Sequence, residues 1–171
     1  GSASPFVWNA ARLDANTGAY EAVTTTDAQV NVTNGLTVDG RLTLGNWTQA
    51  TTFGIKFIGT QTLGGSGEVV LPGTQGLFLN QTGMTLTIGQ NLTVRGTGAI
   101  TGQNPNAGGT TLINNGTIRV DSAGTLTIGF PGFNNSSVLN NFINGPTGKL
   151  EITNAAGTLN IVPNVSYNNQ A

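Results

Sequence analysis

Thr85-Leu86-Thr87-Ile88-Gly89 recurs unchanged at Thr125-Leu126-Thr127-Ile128-Gly129, and in looser form at Thr158-Leu159-Asn160-Ile161 and Arg41-Leu42-Thr43-Leu44-Gly45. Polar and apolar residues alternate within every copy, which is the period of a short strand with one buried and one wet face. The copies lie between 33 residues (Thr125 to Thr158) and 44 residues (Arg41 to Thr85) apart. A strand that returns in this way signals a repeat architecture, in which each unit buries its apolar face on its neighbours.

Two further strand types recur beside the first. Gly35-Leu36-Thr37-Val38-Asp39, Asn91-Leu92-Thr93-Val94-Arg95, Thr117-Ile118-Arg119-Val120-Asp121 and Lys149-Leu150-Glu151-Ile152-Thr153 place aliphatic residues second and fourth, pointing inward. Phe78-Leu79-Asn80-Gln81, Leu112-Ile113-Asn114-Asn115 and Phe142-Ile143-Asn144-Gly145 share an Asn after an apolar pair. Asn80, Asn114 and Asn144 are therefore expected to stack as an amide ladder at a corner. Three strand types in rotation describe an all-β fold, a right-handed parallel β-helix with three-sided coils of about 20–35 residues. An antiparallel sandwich is the competing architecture, since short strands and Gly turns also suit it.

The composition agrees with many short strands and sharp corners. Of 171 residues, 26 are Gly, 27 Thr and 21 Asn, while charged residues make up 8% against a typical ~25%. Apolar content of 37% in regular alternation argues against disorder. Thr suits the wet face of a strand, and Gly and Asn suit corners with left-handed backbone.

Residues 1–30 lack the Thr-x-Thr rhythm. Phe6, Val7, Trp8 and Leu13 form an apolar cluster that reads either as an N-terminal cap or as a strand-donating assembly arm. Residues 31–165 read as the coils and residues 166–171 as a polar C-terminal tail. Turn residues cluster at 102–109 and 130–137, which marks them as loops leaving the column.

The stretch from Asn34 to Pro163, with Leu112-Ile113-Asn114-Asn115-Gly116-Thr117-Ile118 and Ala123-Gly124-Thr125-Leu126-Thr127-Ile128 as its clearest segments, resembles the repeat regions of bacterial extracellular β-helix proteins. These include autotransporter passengers and filamentous-haemagglutinin-like surface proteins. The resemblance implies an extracellular or cell-surface location and a structural role, though no leader is read within the chain.

The residues themselves offer little chemistry. There is no His and no Cys, which excludes a Ser-His-Asp triad, disulfides and thiolate metal sites. The seven acids are scattered. Asp39, Asp121 and Glu151 share the outer face of the second strand type with Arg95 and Arg119, which reads as a mixed-charge stripe on a wet sheet. No catalytic, cofactor or metal residue is assigned, and the chain is read as non-enzymatic. A net charge of −1 with dispersed basic residues argues against nucleic acid, and no apolar run reaches the ~20 residues that span a bilayer.

The expected function is that of a structural subunit or module of a stalk, adhesin or self-assembling filament. Its partners would be copies of itself stacked head to tail, or further coils of a longer chain. The alternative is a surface binding module. Thr43, Thr85, Thr87, Thr125, Thr127 and Thr158 are the candidate ladder for ice, and exposed aromatics such as Trp47 and Tyr167 are candidates for a glycan.

Overall fold

The computed structural model describes residues 6–13, 19–22, 30–44, 54–73, 76–102, 109–129 and 139–171, the first two stretches through their backbone alone. The described chain begins with β1 (Phe6–Leu13), β2 (Ala19–Ala22), the long β3 (Val30–Val38) and β4 (Arg41–Leu44). A cycle of three short strands then repeats. β5 (Gly54–Phe57), β6 (Gln61–Gly64) and β7 (Glu68–Leu71) form one turn. β8 (Gly76–Leu79), β9 (Thr85–Ile88) and β10 (Thr93–Gly96) form the next. β11 (Gly98–Gly102), β12 (Thr110–Asn114) and β13 (Thr117–Val120) follow. The cycle ends with β14 (Gly124–Ile128), β15 (Leu139–Asn144) and β16 (Lys149–Ile152), then β17 (Gly157–Ile161) and β18 (Ser166–Asn169).

Every pairing among these strands is parallel, and each short strand pairs with its counterparts one turn away. The protein is an all-β parallel β-solenoid of about four turns, without a helix among the described residues. Three flanks result. The first stacks β5, β8, β11, β14 and β17, and the second β6, β9, β12, β15 and β18. The third stacks β2, β4, β7, β10, β13 and β16. Turn lengths run from 22 residues (Gly54 to Gly76) to 33 residues (Gly124 to Gly157), because the corners vary while the strands do not.

The core is a set of rows in which like stacks on like. Ile55, Leu77, Ile100 and Ile128 line the inside of the first flank, Leu86, Leu112 and Phe142 the second, and Leu42, Val69, Val94 and Ile118 the third; all are buried. Each such side chain contributes about 1.5–3 kcal/mol of transfer free energy. The alternation seen in sequence supplies these rows directly, since successive strand residues point to opposite faces.

The stack begins ahead of residue 31. β1 runs parallel to β3, from Phe6 opposite Val30 to Leu13 opposite Val38, with a register shift between Asn9 and Ala11. β2 pairs with β4 in the same way. At the other end, Ser166 to Asn169, read from sequence as a tail, pairs with β15 and completes the second flank. The loop expected at 130–137 lies outside the described residues, as does most of 102–109.

β3 solves a geometric problem. It runs straight across two flanks, pairing with β5 through Val30–Val32 and with β6 through Leu36 and Thr37. The next turn bends at Ile58-Gly59-Thr60, so the two ladders part company there. Asn34 (φ 58°) and Gly35 (φ 98°) take left-handed conformations at the break, which these two residue types tolerate best. Gln61 then fills the gap with its side chain. Its amide donates to the Val32, Ile58 and Gly59 carbonyls at 3.0, 2.9 and 3.3 Å and accepts from the Gly35 N–H at 3.0 Å. Only 8% of Gln61 is exposed, so these backbone groups have little access to water. Replacing Gln61 by Leu keeps the bulk and removes every bond. The expected loss is about 1–3 kcal/mol or more in urea unfolding, because backbone groups are left unsatisfied; a change within about 0.5 kcal/mol would show that the corner does not depend on this amide.

Candidate functional site

The third flank carries most of the described charges on its outer side, and the parallel register ties them into a row. Glu68 is central. Arg95 Nε donates to its Oε2 at 2.6 Å and Arg95 Nη2 to its Oε1 at 3.2 Å, while Arg41 Nε reaches Oε1 from the preceding turn. Arg95 Nη1 continues the row to Asp121 Oδ2 at 2.9 Å. Arg119 Nε pairs separately with Glu151 Oε2 at 2.7 Å. The Arg95 hydrogen bonds, aided by Arg41, hold the Glu68 carboxyl down at about 2, from an ordinary 4.5. Arg95 is in turn raised, first by its bond to Glu68.

The mixed-charge stripe read from sequence is thus a set of turn-to-turn ion pairs, but its membership differs. Arg41 and Glu68 belong to it and were missed. Their signal was spacing, since Arg41, Glu68, Arg95 and Asp121 follow one another at 27, 27 and 26 residues, one turn each. Asp39 lies at the corner between β3 and β4. Its Oδ1 accepts from the Ser66 N–H at 3.1 Å and the Ser66 hydroxyl at 3.2 Å, which pins a corner. Among the described residues, no group of three or more His, Cys, Asp and Glu gathers to hold a metal ion.

The six Thr residues singled out as one ladder occupy three flanks. Thr43 is on the third, opposite Val70. Thr85 and Thr87 are on the second, opposite Thr111 and opposite Thr62 and Ile113 respectively. Thr125, Thr127 and Thr158 are on the first, with Thr125 opposite Thr158 and Thr127 between Ala99 and Asn160. The identical motifs separate because β14 comes five strands after β9, and only a multiple of three returns the chain to the same flank. Phe6, Val7, Trp8 and Leu13 lie on β1, at positions opposite Val30, Asn31, Val32 and Val38.

An amide ladder does form, with one change of member. Asn114 Nδ2 donates to Asn144 Oδ1 at 2.7 Å, and Asn144 Nδ2 to Asn169 Oδ1 at 2.9 Å. Asn114 and Asn144 are buried, and their nitrogens also donate to the Lys149 and Gly148 carbonyls at 3.2 and 3.1 Å. Asn80 is absent from the ladder because it follows β8 on the first flank, whereas the ladder runs along the second. Phe78 is buried, but outside the interior cluster. Leu77 and Leu79 on either side belong to the core and Phe78 does not. Its ring lies over the outer side of β5 and β8, 2.7 and 2.6 Å from where Cβ atoms on Gly54 and Gly76 would stand, so both positions require Gly.

Among the described residues no strand pairs with the far side of β16, β17 or β18, so the last strand of each flank forms an open edge. Here the interior rows reach solvent: Ile152 is 55% and Tyr167 43% exposed, and Leu150, Leu159 and Ile161 are only partly covered. Tyr167 stacks on Phe142 of the turn before, ring centres 5.3 Å apart. No protein-family model, curated protein or solved structure matches the chain. The charged row is internally neutralised, whereas the edge carries unsatisfied apolar surface and unpaired strand backbone.

The Glu68 row makes a pH prediction. A carboxyl depressed in the folded state stabilises the fold above its unfolded value, and the contribution is lost as pH falls toward the folded value. Wild type should therefore exceed Glu68→Gln in thermal stability at neutral pH, with the gap shrinking below pH 4.5 and closing near pH 2. Thermal melts across that range check it; a gap independent of pH would mean that Glu68 acts through packing.

Proposed function

We propose that the chain is a non-catalytic extracellular structural protein, a β-solenoid module of a cell-surface stalk, adhesin or filament. Its work is to supply length and stiffness by stacking parallel turns. The observation that carries this reading is the open edge at β16, β17 and β18, where core residues such as Ile152 and Tyr167 stand exposed beside unpaired strands. Such an edge is a template for further pairing, and most proteins blunt theirs with charge, Pro or a covering segment. Lys149 and Glu151 on β16 are the only charged residues among these three strands, and β17 and β18 have none.

Three further features support it. The resemblance of the coils to bacterial surface repeats points to the same class of protein. The charge row ties successive turns along the axis on one flank, and the amide ladder does so on another. A repeat stack of this kind gains stability from each added neighbour, so it extends readily. A contact between unlike ends does not close on itself and builds an open fibre.

Negative-stain electron microscopy of the purified protein over a concentration series tests the reading. Straight, elongated particles are expected. Filaments that lengthen with concentration would assign the next coil to a second copy, and rods of constant length would assign it to a different chain segment. Compact particles with no long axis would overturn the structural reading.

A further inference from the structure

The row that ends in the amide ladder changes character along the stack. Reading the register from one turn to the next, it runs Ala11, Leu36, Leu63, Ile88, Asn114, Asn144, Asn169. The early turns are aliphatic and the last three carry amides. Each buried amide sends one hydrogen bond to the oxygen of the amide in the following turn and another to a backbone carbonyl, Lys149 of the following turn for Asn114 and Gly148 of its own corner for Asn144. Asn169 accepts from Asn144, and among the described residues nothing accepts from the Asn169 nitrogen. A row of this kind favours its own continuation: an acceptor opposite Asn169 pairs its nitrogen, whereas an aliphatic neighbour leaves an amide atom unpaired, as Ile88 leaves the buried Asn114 Oδ1.

We infer that the open edge selects its occupant through this row, and that the fitting occupant is a parallel coil with Asn or Gln opposite Asn169 and an aromatic or aliphatic residue opposite Tyr167. The inference rests on the proposed role of the edge as a site of coil addition. It also discriminates between segments of this chain. A coil like the last one, residues 145–169, would place Asn on Asn169, Tyr on Tyr167, and Leu and Ile on Leu159 and Ile161. The N-terminal strand β1 would place Ala11 in the amide row and leave the Asn169 donor covered without a partner. The backbone of either strand can extend the ladder, so the side chains decide.

The test uses the intact protein and three fluorescently labelled synthetic peptides: residues 145–169, the same peptide with Asn169→Leu, and residues 6–22. Binding is read by fluorescence anisotropy. The 145–169 peptide is expected to bind saturably, the Leu version about tenfold more weakly, and the 6–22 peptide no better than the Leu version. Equal binding by the Asn and Leu peptides would overturn selection by the amide row and leave coil addition standing. Tighter binding by residues 6–22 would also overturn it, in favour of head-to-tail copies. Binding by none of the three would overturn both the inference and the role of the edge.

Discussion

In-register parallel stacking is the constraint on which everything else in this protein depends. Each residue sits directly against its counterpart one turn away, about 4.8 Å distant, so every row along the axis must tolerate its own neighbours. Aliphatic rows satisfy this by burial. Charged rows satisfy it through partners of opposite sign: Arg41 lies opposite Glu68 and Arg119 opposite Glu151, while Arg95 and Arg119, which lie opposite each other, are each drawn to acids, Arg95 to Glu68 and Asp121 and Arg119 to Glu151. A buried amide row satisfies it by handing one hydrogen bond forward at each turn, as Asn114 and Asn144 do. Where two rows cannot both be continued, as between β3 and the corner at Ile58-Gly59-Thr60, a single side chain, Gln61, supplies the bonds that the backbone cannot.

The same constraint explains what could be read in the sequence and what could not. Alternation announces which side of a strand is buried, so the strands and most of their interior residues were legible, among them Leu86, Leu126, Ile118 and Val94. The flank is a different quantity. It depends on how many strands intervene, and hence on corners whose lengths follow no pattern. The two identical Thr-Leu-Thr-Ile-Gly segments therefore lie on different sides of the column, and the single Thr ladder dissolves. The burial of Phe78 was not legible for a related reason. Its ring is buried outside the interior cluster because two glycines, Gly54 and Gly76, one turn apart and without a local signature, leave room for it.

Spacing carried more information than motif did. The charged residues of the third flank repeat at 26 and 27 residues, close to one turn, although the sequence around them differs. Asn114, Asn144 and Asn169 repeat at 30 and 25 residues, and it is the last of these, in a stretch that reads as an unremarkable polar tail, that completes the buried ladder. Chemistry that acts only against a copy of itself has to recur once per turn. Local composition has no such obligation, which is why a polar tail and a terminal strand look alike.

A solenoid whose rows were all aliphatic would accept any apolar coil at its end, in several registers, because burial is not directional. An amide row removes that freedom. A coil displaced by one residue turns its inward set outward, and one displaced by two brings an apolar side chain onto a donor that it buries without a partner. The amides of this protein lie toward the edge where the core is bare, and the aliphatic part of the same row lies toward β1. In the coil addition proposed above, apolar exposure at Ile152 and Tyr167 would supply the affinity, and the solvent-facing nitrogen of Asn169, which needs an acceptor once covered, would supply the register.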